Sequence, residues 1–287
     1  MLAIYKKELR SYFTSMIGYV FVAFFLVIIG IWFFIQNLTY GAANFEYTLS
    51  SITFLFVLLT PILTMRLMAE ENKQKTDQLL LTSPLSASAI VIGKFLAVFT
   101  VFFAAMAVTC FYPLIMTRFG SVPLASAYAS IFGFTMLGAT YLSIGLYISS
   151  LTENQAVAAV ISFIVFLITV LMDGLASVLP SSNQAAYLTF SVFLIIICFI
   201  FYKMMHNLTI AVGTGVVVEA ALTITYIVKP TLYDGLIVKV FNWLSVISRY
   251  DQFYYGIFDV TGIIYYLSLT FLFVFLTTQV IRKKRWS

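Results

Sequence analysis

Residues 17–35, IGYVFVAFFLVIIGIWFFI, carry no charged side chain. At a rise of ~1.5 Å per residue this run makes a helix of about 28 Å, close to the hydrocarbon thickness of a bilayer. Similar runs recur along the chain. A helix needs about 20 apolar residues to cross lipid, and by that test eight spans are expected: 17–35, 52–67, 90–116, 127–149, 156–175, 187–202, 209–228 and 262–280. Composition agrees, because 62% of the 287 residues are hydrophobic and only 9% are charged. A soluble domain carries about a quarter charged residues, so this chain could not clothe its core with polar surface in water. No polar stretch is long enough to be a soluble domain. The expectation is an all-α polytopic membrane protein of about eight transmembrane helices, with residues 1–287 forming one transmembrane domain.

The basic residues set an orientation. With the N-terminus in the cytosol, Lys6, Lys7, Arg10, Arg66, Lys73, Lys75, Lys94, Lys203, Arg282, Lys283, Lys284 and Arg285 fall inside, and only Arg118, Lys229, Lys239 and Arg249 fall outside. An even number of spans also leaves the basic tail RKKRW inside, so both termini are expected in the cytosol. The net charge of +5 is then a topology signal and an attraction to anionic lipid, and it does not call for nucleic acid. Residues 1–16 read as part of the protein and not as a secretory leader, because the apolar run that follows is too long for one and no small-residue cleavage site ends it. Cys110 and Cys198 lie inside apolar runs and give neither a disulfide framework nor a metal spacing.

Three segments lie between the spans. In residues 2–16, Leu2, Tyr5, Leu9, Tyr12, Phe13 and Met16 recur at helical spacing opposite Lys6, Lys7, Arg10 and Thr14, the pattern of a helix lying in the membrane interface. In residues 229–261, Lys239, Asn242, Ser245 and Arg249 make a polar stripe on an otherwise apolar stretch, read as one or two helices on the outer leaflet. The third, residues 66–94, is RLMAEENKQKTDQLLLTSPLSASAIVIGK. Glu70 and Glu71 open a short helix, where the dipole favours negative charge. Leu79, Leu80 and Leu81 make an apolar knob. Ser83-Pro84 stops the helix, because the residue before proline avoids the helical region. Ser86 or Ser88 can cap the next span.

This third segment resembles the permease subunits of type-2 ABC exporters, those with the ABCG-like transmembrane fold. The likeness rests on Glu70-Glu71, Lys73, Thr76, Leu79-Leu80, Ser83-Pro84 and Gly93-Lys94. It extends to IYKKELRSYFTSMIGYV (4–20), similar to the family's N-terminal interfacial helix, and to WLSVISRYDQFYYGIFDVTGIIYYLS (243–268), similar to the segment before the last span in the gliding-motility-type subgroup. The sequence departs from the pattern at Lys75, where the family usually has Gly, and at Gln78, where it usually has Glu. The family commonly has six spans, and 187–228 looks like two more. The resemblance implies a coupling helix, carrying Glu70, Glu71, Lys73, Thr76, Leu79 and Leu80, that docks on a separate ATP-binding subunit. It also implies a second permease subunit, identical or related, and alternating access driven by ATP and Mg held on the partner subunits, with no cofactor on this chain.

The chain has no P-loop of its own. Its one Gly-Lys pair, Gly93-Lys94, is followed by Phe95 and lacks the required glycine five residues earlier. The absence of HExxH and GxSxG patterns and the presence of a single His weigh against a membrane hydrolase. Glu219 lies midway along the seventh span, where an acid costs about 2.5–3.5 kcal/mol to insert. It is a candidate for the translocation path, or a polar residue satisfied by a Tyr or Thr hydroxyl, with Gly213 and Gly215 able to admit a neighbouring helix. Asp173, at the end of the fifth span, is a second path candidate. Lys94 reads as a lysine snorkelling from the end of a span. Thr135, Ala139 and Ser143 read as a packing stripe that could meet a second subunit. Two competing readings are a secondary transporter or channel using Glu219, and a membrane scaffold that transports nothing.

Overall fold

The computed structural model describes residues 1–76, 85–178, 182–205 and 208–286. These residues form helices and no strand, so the chain is an all-α polytopic membrane protein. In chain order the helices are α1 (Leu2–Thr14), α2 (Ile17–Phe33, prolonged by a π turn, Phe34–Thr39), α3 (Phe45–Ser51), α4 (Leu55–Thr64), α5 (Ala69–Gln74), α6 (Ala87–Thr109), α7 (Phe111–Met116), α8 (Leu124–Leu151), α9 (Gln155–Val178), α10 (Asn183–Met205), α11 (Leu208–Val228), a 3-10 turn (Pro230–Tyr233), α12 (Leu236–Leu244), α13 (Asp251–Tyr254) and α14 (Val260–Trp286).

Among the described residues, five helices are long and apolar enough to cross a membrane: Ile17–Thr39, Ala87–Met116, Leu124–Leu151, Gln155–Met172 and Val260–Arg285. Two bent pairs raise the number to seven if each counts as one span: Phe45–Ser51 with Leu55–Gln74, bent by 63°, and Gly213–Val228 with Pro230–Leu244, bent by 111°. The second expected span is thus broken at residues 52–54. The sixth falls in α10, a helix of 23 residues whose described apolar stretch is Asn183–Ile196. Hydropathy counts apolar residues and is blind to bends, which accounts for the two broken pairs.

The chain divides into two compact units, residues 1–168 with 249–287, and residues 169–248. In the first, α8 is the buried central helix. Its glycines admit large neighbours: a Cβ at Gly138 would overlap the Phe102 ring, and one at Gly145 would overlap Thr64. Phe56 fills the space beside it, with ring centroids 4.8 Å from Phe134, 5.4 Å from Tyr141 and 5.8 Å from Phe102. Thr135, Ala139 and Ser143 are buried by the chain's own helices, so this stripe packs internally and is not a surface for a second subunit. The Tyr250 and Ser130 hydroxyls, 2.6 Å apart, tie the turn before α13 to the start of α8. On α14, the Lys284 ammonium donates to the Ser150 carbonyl (3.2 Å) and the Arg285 guanidinium to the Leu85 carbonyl (3.1 Å). The end of α14, the end of α8 and the start of α6 therefore share one end of this unit.

The second unit holds the α10–α11 hairpin, drawn close where Gly215 faces the Cys198 sulfur. Gly213 has no such neighbour. Part of the segment expected on the outer leaflet folds as the 3-10 turn and α12. They bury Tyr233 and Ile237 against Ala186 of α10, with Tyr187 and Tyr226 beside them.

Candidate functional site

The polar cluster of the first unit gathers where α1 crosses α6. Gly93 makes the crossing possible: a Cβ there would lie 3.2 Å from the Met1 carbonyl oxygen and 3.3 Å from Ile4. The inward face of α1 carries Ile4 and Tyr12, both buried, with Glu8 between them. These residues recur every fourth position. Leu2 and Met16, on the expected apolar stripe, are 67% and 72% exposed, as suits a lipid-facing edge.

Lys94, next to Gly93, is fully buried. This corrects the snorkelling reading. Its ammonium lies 2.9 Å from Glu8 Oε1 and 2.8 Å from Glu71 Oε2, and donates to the Leu67 carbonyl at 2.7 Å. All three donor hydrogens are used, so the buried charge is both paired and hydrogen-bonded, the condition for tolerating it away from water. One side chain of α6 thereby holds α1, the turn between α4 and α5, and the start of α5. Lys7 closes the ring from outside by donating to Glu71 Oε1 at 3.1 Å. Burial disfavours the Lys7 charge, but the hydrogen bond to Glu71 and the carboxylates of Glu71 and Glu8 outweigh it and raise its pKa. Arg66 grips Glu70 through two hydrogen bonds, Nε to Oε2 at 2.7 Å and a terminal nitrogen to Oε1 at 3.0 Å, the bidentate geometry that is strongest for this pair.

The chain between α4 and α5 leaves helical backbone groups without intrahelical partners, and these must be met from elsewhere. Ser149, near the end of α8, meets three. Its hydroxyl accepts from the Met68 and Ala69 amides and donates to the Met65 carbonyl, each at 3.1 Å. The Tyr12 hydroxyl donates to the Leu63 carbonyl at 2.8 Å, and the Asn72 amide group donates to the Thr152 carbonyl at 3.2 Å. The segment 65–76 is therefore stitched to α1, α6 and α8 at once. A cavity of about 30 Å³ lined by Glu8, Tyr12, Arg66 and Glu70 has room for roughly one or two waters.

At its other end α5 stops on Lys75, which has φ +56°. The Lys75 amide donates to the Asn72 carbonyl (3.3 Å) and the Thr76 amide to the Glu71 carbonyl (3.1 Å), the Schellman arrangement that usually has glycine at this position. Glu70 and Glu71 occupy the first turn of α5, as expected, and Lys73 the last. Lys73 projects into solvent and Thr76 is half-buried. Leu79 and Leu80 lie outside the described residues. Ser86 caps α6, its hydroxyl accepting from the Ala89 amide at 3.3 Å. Sequence reasoning missed Glu8 and Ser149, and misjudged Lys94. One signal was available: Glu8 is the one acid among the bases of residues 1–16.

The two path candidates are not part of this cluster. Glu219, on α11, accepts at Oε1 from the Tyr187 hydroxyl (3.0 Å) and the Ser191 hydroxyl (2.8 Å). Asp173 lies on α9, and its side chain is outside the described residues.

The family of ABC-2 family transporter proteins matches residues 37–276, most of the chain. No curated protein and no solved structure matches. The chain belongs to the ABC-2 transporter family, and is a transmembrane subunit of such a transporter.

Proposed function

We propose that this ABC-2 family chain, as one transmembrane domain over residues 1–287, is the permease subunit of an ATP-driven exporter in the cytoplasmic membrane, with both termini in the cytosol. It works with separate ATP-binding subunits, which hold ATP and Mg, and with a second permease subunit. No step of bond chemistry falls to this chain. The likeness of residues 243–268 favours a gliding-motility-type permease within the family.

The observation that carries the reading is the triple attachment of residues 65–76 through Lys94, Ser149 and Asn72. A surface segment with no mechanical role needs no buried ammonium shared between two carboxylates. A lever does, because force applied to α5 must reach the spans without being lost in a slack loop. With α5 docked on an ATPase, its displacement would pull on α6 through Lys94, on α8 through Ser149 and on α1 through Glu8. The knob Leu79–Leu80 would supply the apolar anchors that dominate such an interface. Glu70, Glu71, Lys73 and Thr76 would set its charge and its exit angle.

The test is a mild-detergent purification of the tagged chain from its native membrane, beside Leu79→Asp/Leu80→Asp. A P-loop ATPase that accompanies the wild type and is lost from the variant is the expected result. An intact chain that brings no ATPase through several detergents would overturn the reading.

A further inference from the structure

The hairpin of α10 and α11 brings four oxygen-bearing side chains together. Tyr187 and Ser191 are one helical turn apart on α10, and Glu219 and Thr223 one turn apart on α11. The Tyr187 and Ser191 hydroxyls donate to Glu219 Oε1 at 3.0 and 2.8 Å. The Tyr187 and Thr223 hydroxyl oxygens are 3.1 Å apart, and Thr223 also donates to the Glu219 carbonyl at 2.8 Å. Glu219 Oε2 is buried and has no hydrogen-bond partner. Among the described residues no lysine or arginine forms an ion pair with Glu219.

A packing role accounts for Oε1 and leaves Oε2 unexplained. Glu219 is half-buried, and an acid whose partners are all neutral hydroxyls lacks a counter-charge. The donor set is entirely oxygen, which suits a hard cation and not a thiophilic or imidazole-seeking metal. One carboxylate neutralises one charge, whereas calcium sites gather several carboxylates and carbonyls. Among the described residues no cluster of three or more His, Cys, Asp or Glu side chains exists here or elsewhere. We infer that Glu219, through Oε2, and the hydroxyl oxygens of Tyr187, Ser191 and Thr223 form a binding site for a small monovalent cation, sodium, inside the hairpin. Oε1 is oriented by its two donors, which leaves Oε2 as the charged ligand. This site is independent of ATPase coupling: it gives the transporter a sodium requirement or a sodium cargo whichever subunit supplies the energy.

The experiment uses the purified full chain in detergent, freed of sodium in choline chloride. Binding of ²²Na⁺ and the thermal unfolding midpoint are followed as NaCl replaces choline chloride at constant ionic strength. Saturable binding is expected, with a midpoint that rises with sodium as mass action requires. Ser191→Ala, which deletes one hydroxyl and leaves the acid in place, should raise the half-saturating concentration about tenfold. Glu219→Gln should abolish binding. Absence of ²²Na⁺ binding by the wild type up to about 100 mM, where a weak site would still shift the midpoint, would overturn the inference. Sodium binding unchanged in Ser191→Ala would overturn the site, and this variant decides the matter even if Glu219→Gln fails to fold.

Discussion

Lys94 shows how much one side chain can hold. Its ammonium satisfies Glu8, Glu71 and the Leu67 carbonyl. Lys94→Ala would leave the two largely buried carboxylates, Glu8 and Glu71, with only the exposed Lys7 ammonium, 3.9 and 3.1 Å away, to neutralise them. Breaking a buried pair in this way costs about 3–5 kcal/mol, so a marked fall in the thermal unfolding midpoint is expected in detergent. Adding Glu8→Gln and Glu71→Gln to that variant should recover much of the loss, since the orphaned charges go with them. A midpoint for Lys94→Ala equal to the wild type's would show that the cluster is solvated. The residue types were legible in the sequence, and their partnership was not. A lysine at the start of an apolar run reads as snorkelling, because its partner Glu8 lies 86 residues earlier in the chain. Glu71 was legible as a helix-dipole acid, and the ion pairs that occupy it come from elements that only the folded bundle brings alongside.

At the scale of elements, local signals were read well and non-local ones were not. The acidic first turn of α5 and the Ser86 cap rest on contacts within a few residues, whereas α5 itself ends at Gln74 and not at the expected stop, Ser83-Pro84, so Thr76 lies beyond it. The bend at residues 52–54 contains neither proline nor glycine, so nothing local marks it. The break between α4 and α5 is equally unmarked, because the groups that satisfy it belong to α1, α6 and α8. The face of α1 that packs inward was legible only in part: Tyr5 and Tyr12 lie on the expected apolar stripe and reach Thr100 and Leu63, whereas Glu8, which hydrophobicity would place in solvent, packs inward with them. Lys75 is an intermediate case. The departure from glycine was visible in the sequence, and its cost appears only with φ +56°. A left-handed conformation costs a non-glycine residue about 1–2 kcal/mol. Lys75→Gly should therefore stabilise the end of α5 by about 1 kcal/mol, offset in part by glycine's greater freedom when unfolded. Slower amide exchange at Lys75 and Thr76 would register it. Lys75→Ala, which keeps the Cβ, should give no such gain, and equal protection in both variants would remove backbone conformation as the cause.

For the whole molecule the decisive quantity is the parity of the crossings. α1 is bound to α6 through Lys94, and the end of α14 is bound to α8 and to the residues before α6, so within the first unit both termini lie at one end. A chain that starts and finishes on the same side crosses an even number of times. The five long helices and the bent pair α3–α4 make six, and α10 with the bent pair α11–α12 would make eight. Charge distinguishes these alternatives, because Lys203 stands in the last turn of α10 and basic residues are retained on the cytosolic side. Single cysteines placed in a background without Cys110 and Cys198 would read the result through a membrane-impermeant maleimide on right-side-out vesicles. Ser121→Cys, in the turn between α7 and α8, should label directly. Lys6→Cys and Lys283→Cys should label only after permeabilisation. Lys203→Cys should behave like the termini if there are eight crossings, which also places Glu219 at mid-membrane depth. Direct labelling at Lys203→Cys would instead leave six crossings, with residues 183–228 on the outer side and Glu219 in a solvated hairpin. Labelling of Lys6→Cys on sealed vesicles would reverse the orientation altogether, and α5 would then face away from any cytosolic ATPase.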